Sequence, residues 1–365
     1  MYKIQIGAYR YKENAITAKD LVVKAGFKAV VIQSDDLYKL QAGAFRVEEN
    51  AKKHLAELQK KFPNAIIINV EEGPPVEVDQ PHPKIRVWGI WFFEKNERLF
   101  GDATAIIQYN SGGKPDHVVL IDTGKAAGLT VAKLKAAGVK VIDAVVISHA
   151  HGDHYGALTD VFKNFTVKHL YLPDTTQLDK YQKTYGNALR SQASKAKKYG
   201  AGCTYMKAGS TFTAGKIRCD CLWQAPAASL KEHDSHHFVN NQSIVLRFTL
   251  DGIWKYHTAG DLQNPANNLL VKAVKDLKAD IFKCQWHGDA NACNTTICKA
   301  VRPKIAFSNY HHKEQSGRGT TRKRLEAVGA VVARNAENGD IYIDCTGNVM
   351  KLSCSKGNLS KTFKK

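Results

Sequence analysis

The stretch SHAHGDHYGAL, residues 148–158, sets His149, His151, Asp153 and His154 within six positions, directly after the apolar run AVVI. VIDAVVIS has the continuous apolar pattern of a buried strand and HYGALTDVF reads as a helix start, so the polar residues occupy a strand-to-helix loop at a sheet edge. His149 and His151, two apart in an extended loop end, can aim at one cation. Asp153 and His154, one turn on, can aim at a second. Imidazole and carboxylate donors suit zinc, with iron or manganese as alternatives, and two cations about 3.5–4 Å apart can share and activate one water.

A chain of 365 residues is long enough for two domains. Its 44% hydrophobic and 24% charged content is that of a folded globular protein, and no low-complexity tract interrupts it. The longest apolar runs, such as VWGIWFF, fall short of the roughly 18 residues a membrane span needs, so no transmembrane segment is expected. Folded-looking sequence begins at Tyr2 and no export signal is visible, which leaves cytoplasmic residence open. Charge is uneven. Residues 1–72 hold 12 basic and 9 acidic side chains (net +3), and the remainder 41 against 25 (net +16). That balance suits an anionic partner such as a nucleic acid, a teichoic acid or a phosphorylated substrate. All eight cysteines lie in the second half and show no C-x-x-C spacing, which argues against a zinc ribbon and leaves both disulfides and free thiols open.

YKIQIGAYRYKENA at 2–15 returns as YKLQAGAFRVEENA at 38–51, an internal duplication with an offset of 36. Each copy opens with a period-two strand and continues into a helix, as in the stripe Ala51, Leu55, Leu58, Phe62. Two βαβ units follow, with helices over the Tyr2/Ile4/Ile6 face. Gln5, Tyr9, Gln41 and Phe45 are then expected on the open face, where amides beside aromatics suit a stacked ligand. This duplicated motif resembles the SPOR domain, a ferredoxin/RNP-like module that binds peptidoglycan glycan strands stripped of their peptides. An RNA-recognition domain shares the topology but lacks its aromatic signature here. EEGPPVEVDQPHPK, 71–84, reads as a stiff linker.

H-x-H-x-D-H resembles the signature of the metallo-β-lactamase fold, and further landmarks arrive in order. Asp122 ends HVVLIDTG, Asp261 closes WKYHTAGDL, and His287 stands in ADIFKCQWHGD. The resemblance implies an αββα sandwich in which His149, His151, Asp153, His154, Asp261 and His287 bind two metals and Asp122 orients the metal loop. GDATAIIQYN, NNQSIVL and ADIFKCQWHG are similar to the group that contains DNA-uptake competence proteins and phosphorylcholine esterases. That group reads His-His-Gly-Ser in its last motif, whereas this chain has Trp286, His287, Gly288, Asp289. Where many relatives place a further histidine the chain has Asn240 and Asn241, with His236 and His237 just before. Asn241 is read as a supporting residue and His237 as a further metal candidate. His311 and His312 are candidates for a general acid or phosphate contact, with an ordinary surface role as the alternative.

The expected organisation is a SPOR-like domain at 1–70, a linker at 71–84, a metallo-β-lactamase-fold domain at 85–354 and a basic tail at 355–365. The expected activity is metal-dependent hydrolysis with Asp153 holding, and as catalytic base accepting a proton from, the attacking water. A phosphodiester, including phosphorylcholine or teichoic-acid esters, ranks first as substrate. DNA cleavage, lactam or ester hydrolysis, and a non-catalytic binding platform are the alternatives. The glycan-binding module implies an extracytoplasmic, cell-wall-associated protein.

Overall fold

The structure is a computed structural model that describes residues 2–34, 36–45, 47–69, 82–92, 101–125, 127–230, 235–309 and 318–365. The chain divides into two compact units, Met1–Gln80 and Pro81–Lys365, and the division falls inside the proline-rich stretch read as a linker. Most of that stretch lies outside the described residues, as do His311 and His312.

In the first unit β1 (Tyr2–Tyr9), α1 (Lys12–Lys24), β2 (Val30–Ser34), β3 (Leu37–Phe45), α2 (Glu48–Gln59) and β4 (Ile66–Asn69) build an antiparallel sheet in the order β2-β3-β1-β4. The duplicated motif thus occupies the two central, adjacent strands. Ile4, Leu40 and Ala42 from the sheet and Val22 and Leu58 from the helices are buried together. Gln5 pairs with Gln41, but the register shifts on either side of that pair, and Gly43 in β3 has a φ of +88°. A bulge re-aims the side chains beyond it. Phe45 therefore packs against His54 of α2, with ring centroids 5.3 Å apart, and Tyr9 also packs against this core. Tyr9 and Phe45, expected on the open face, are each half-buried. Gln5 is half-buried and Gln41 is buried.

The second unit contains β5 (Ile85–Gly89), β6 (Thr104–Tyr109), β7 (Pro115–Ile121), β8 (Val141–Val146), β9 (Thr166–Pro173), β10 (Gly202–Met206), β11 (Thr211–Ala214), β12 (Ile217–Trp223), β13 (Val245–Leu250), β14 (Trp254–Thr258), β15 (Ile281–Lys283), β16 (Ile305–Ser308), β17 (Val331–Arg334), β18 (Ile341–Thr346), β19 (Val349–Cys354) and β20 (Lys361–Lys364). Among the described residues one sheet runs β10-β9-β8-β7-β6-β5-β18-β19-β20 and the other β11-β12-β13-β14-β15-β16-β17. The strand alternation sorts the apolar residues into layers. Val146, Val87, Phe248, Tyr256 and Ile281 fill the space between the sheets, whereas Val145, Leu120, Phe282 and Ala306 face outward beneath helical residues such as Leu158, Leu189 and Ile297. The result is a mixed α/β sandwich with helices outside both sheets. The residues expected as a basic tail include β20, which pairs with β19. All eight cysteines are unpaired, and Cys219 and Cys221 on β12 sit in the inter-sheet core. No helix among the described residues is long and apolar enough to cross a membrane.

Parallel neighbours point their carboxyl ends the same way. The loops after β7 and β8 in one sheet and after β14 and β15 in the other bring Asp122, the His149–His154 loop, Asp261 and His287 to one edge of the sandwich.

Candidate metal centre

Four donors converge. One ligand atom each from Asp153, His154, Asp261 and His287 lies within 4.8 Å of the others. His154 Nε2 is 3.3 Å from Asp261 Oδ2 and 3.8 Å from Asp153 Oδ2, and His287 Nε2 is 3.4 Å from each of the same two oxygens. His149 Nε2 and His151 Nδ1 face each other at 3.0 Å alongside, and the His149 and His154 rings are 4.1 Å apart.

Asp122 holds this arrangement from below. Its carboxylate accepts from the Ser148 amide (2.7 Å), the Ser148 hydroxyl (2.8 Å) and His154 Nδ1 (2.8 Å). The first residue of the loop and the ring orientation of His154 are thereby tied to one buried group. Asp122, Trp286 and His287 have φ of +55°, +42° and +53°, and they are three of the five described non-glycine residues with positive φ. Left-handed backbone at such residues costs about 1–2 kcal/mol each, so its concentration here marks the site as one where geometry outranks local stability.

The electrostatics fit cations. Asp102, Asp122, Asp153 and Asp261 supply four carboxylates around one buried ammonium, that of Lys283. Buried charge must be compensated. Burial would raise the Asp153 and Asp261 carboxyls, but His154 and His287 hold both well below the usual carboxylate range. Burial likewise opposes charging His154, yet Asp261, Asp122 and Asp153 raise its proton affinity well above an ordinary imidazole. His149, buried beside His154, is pushed well down. His154 Nε2 and Asp261 Oδ1 are buried without a hydrogen-bond partner. Donor atoms turned toward one point and unsatisfied there suit a divalent cation, and nitrogen and oxygen donors without thiolate suit zinc, iron or manganese.

The remaining sequence-predicted residues fall nearby with different partners. Asn241 Oδ1 accepts from the Gln263 amide at 3.0 Å and so braces the segment after Asp261. His237 lies 2.7 Å from Gln263 Nε2 through Nδ1, and its ring meets Trp286 edge-on at 5.5 Å. It stands outside the converging donor cluster. His312 lies outside the described residues.

Sequence reasoning passed over Asp102, Lys283, Asn309 and Tyr185. The Lys283 ammonium contacts Asp102, Asn309 Nδ2 donates to Asp102 Oδ1 at 2.7 Å, and the Tyr185 ring meets His151 edge-on at 5.5 Å. A lone lysine inside IFKC and a lone aspartate at the head of GDATAII are opposite charges in or beside apolar strands, a signal that they pair.

A two-sheet sandwich with this donor cluster at its edge fits a metal-dependent hydrolase. Residues 2–69 match the SPOR domain family and residues 98–203 the metallo-beta-lactamase superfamily, so an N-terminal SPOR domain precedes a metallo-β-lactamase domain in the chain. Over 215 residues it is 25% identical to ComE operon protein 3 of Bacillus subtilis (strain 168), which covers 57% of this chain and 25% of that protein. The chain thus spans about a quarter of the length of that curated relative. Among solved structures it is similar to the peptidoglycan-binding domain of the B. subtilis cell wall lytic enzyme CwlC (39% identity, 19% of this chain and 89% of that chain, TM-score 0.18). It is also similar to CmlA, a diiron β-hydroxylase from Streptomyces venezuelae (12% identity, 86% and 60%, TM-score 0.44).

Proposed function

We propose that the protein is a cell-wall-associated, binuclear metal-dependent phosphodiesterase that acts on an anionic phosphoester polymer while its SPOR domain grips peptidoglycan glycan strands. The observation that carries this reading is the convergence of Asp153, His154, Asp261 and His287 within 4.8 Å, beside the His149–His151 pair. In the proposed assignment His149 and His151 would hold one cation and Asp153, His154 and His287 the other, with Asp261 a candidate ligand to either. Two Zn2+ are the first choice, with iron or manganese as alternatives. Such ions would supply Lewis acidity and a water of lowered proton affinity.

The chain's own residues do the rest. Asp122 fixes the loop and turns His154 Nε2 inward. The neighbouring His154 and His287 hold the Asp153 carboxyl well below the usual carboxylate range, which suits a donor to a cation and makes it a weak proton acceptor, so the catalytic part of its role lies in orientation. His312 is retained as the proposed general acid. The net +16 of residues 73–365 supports an anionic substrate over a neutral one. Gln5, Tyr9, Gln41 and Phe45 are proposed as the glycan contacts, with Gln5 and Gln41 paired across β1 and β3. Tethering would raise the local concentration of enzyme around wall-linked phosphodiesters and place it outside the cytoplasm.

A panel of aryl phosphodiester, phosphorylcholine ester, chromogenic lactam and single-stranded DNA tests the substrate class. Preferential turnover of the first two supports the proposal, and exclusive cleavage of lactam or DNA refutes it. Residues 1–72 should sediment with amidase-treated peptidoglycan, and failure to do so removes the tether.

A further inference from the structure

We infer that Asp102 and Lys283 form a positioning pair that holds His287 and Asp261 in ligand geometry; this rests on the metal-centre reading above. Asp102 stands just before β6 and Lys283 ends β15, so the pair bridges the two sheets beneath the donor cluster. Both side chains are buried among apolar neighbours such as Ala103 and Phe282. A buried ion pair contributes little net stability once desolvation is counted, and a hydrophobic pair of similar volume often serves the fold as well. Its contacts give it another purpose.

The Lys283 ammonium meets Asp102 Oδ2 and also lies 3.4 Å from the Gly260 carbonyl, immediately before Asp261. The Asp102 amide donates to the Asp153 carbonyl at 3.1 Å. Asp102 Oδ1 is anchored by Asn309 Nδ2, and Asp102 Oδ2 lies 3.8 Å from His287 Nδ1. The side chains of the pair therefore touch the mounting of two of the four donors, Asp261 and His287, while the contact to Asp153 is a backbone one that any residue at 102 would make. The 3.8 Å contact sets Asp102 on the Nδ1 side of the ring, and Nε2 faces Asp153 and Asp261 on the other. Left-handed backbone at Trp286 and His287 supplies no regular element to fix that ring, so its orientation depends on such neighbours.

The test measures zinc affinity by chelator competition on the full chain, together with thermal unfolding of the metal-free protein. Asp102→Leu or Lys283→Met alone strands one buried charge and should lower both. The double change Asp102→Leu/Lys283→Met should regain metal-free stability yet bind zinc about 10–100-fold more weakly than wild type. Asn309→Ala keeps both charges, and at a temperature well below its unfolding it should weaken zinc binding several-fold. Wild-type zinc affinity in the double variant overturns the inference, and if that variant does not fold, wild-type affinity in Asn309→Ala does so. A wild-type protein that binds no zinc refutes instead the metal-centre reading beneath it.

Discussion

His154 donates from Nδ1 to Asp122 Oδ2 at 2.8 Å, and this turns its Nε2 toward Asp153 and Asp261. Asp122 also holds both polar groups of Ser148, so one carboxylate sets the loop and the ring. Asp122→Asn should therefore lower metal affinity by about 10–100-fold and lower hydrolysis with it. Metal titration followed by mass spectrometry reads this directly.

Protons compete with cations here. His154 and His287 have proton affinities above an ordinary imidazole despite their burial, because Asp261 and the neighbouring carboxylates favour the charged rings. Each must lose its proton to serve as a ligand. Zinc affinity should rise with pH through and above neutrality, and calorimetry in buffers of different ionisation heat should show proton release on binding. Affinity that is flat between pH 6 and 8 would contradict the assigned ligands.

Trp286 meets His237 edge-on, and the helix His236–Asn240 that carries His237 also brings Asn240 to His151. The indole thus stands at the rim of the centre and outside its donor set. Trp286→Ala should leave metal stoichiometry unchanged and raise KM about 2–10-fold, the range of one aromatic contact. A fall in metal content would place Trp286 among the supports of His287.

His257 on β14 is buried with both ring nitrogens unpartnered, and burial followed by Arg247 pushes its pKa down to about 3. The unfolded chain binds the proton near pH 6.5, so the folded state loses stability as pH falls from about 6.5 to 3 and keeps it above that window. His257→Leu should flatten this part of the pH–stability curve by an amount on the order of a few kcal/mol at pH 3. Denaturant melts of both proteins at pH 7 and pH 4 give the difference.

Periodicity and spacing carried the fold a long way. The duplicated YK-x-Q motif pointed to two equivalent strands, and the run before Ser148 to a buried strand ending in a polar loop, because strand alternation and apolar runs are local properties. What escaped was non-local. The bulge at Gly43 that turns Phe45 onto His54 depends on strand pairing, and the Asp102–Lys283 contact joins residues 181 positions apart. Asn241 reads in the sequence as a supporting residue, but its partner, the Gln263 backbone amide, is one that only the folded loop supplies.

The central claim is that six side chains would hold two cations and that the metal-loaded protein hydrolyses a phosphodiester, and one paired measurement tests it most directly. Metal content and turnover of an aryl phosphodiester are compared for the wild-type chain and Asp261→Ala. The account predicts two cations per wild-type chain with hydrolysis, and loss of at least one cation with hydrolysis abolished in Asp261→Ala. Wild-type protein without bound metal, or Asp261→Ala protein that hydrolyses at the wild-type rate, would contradict it.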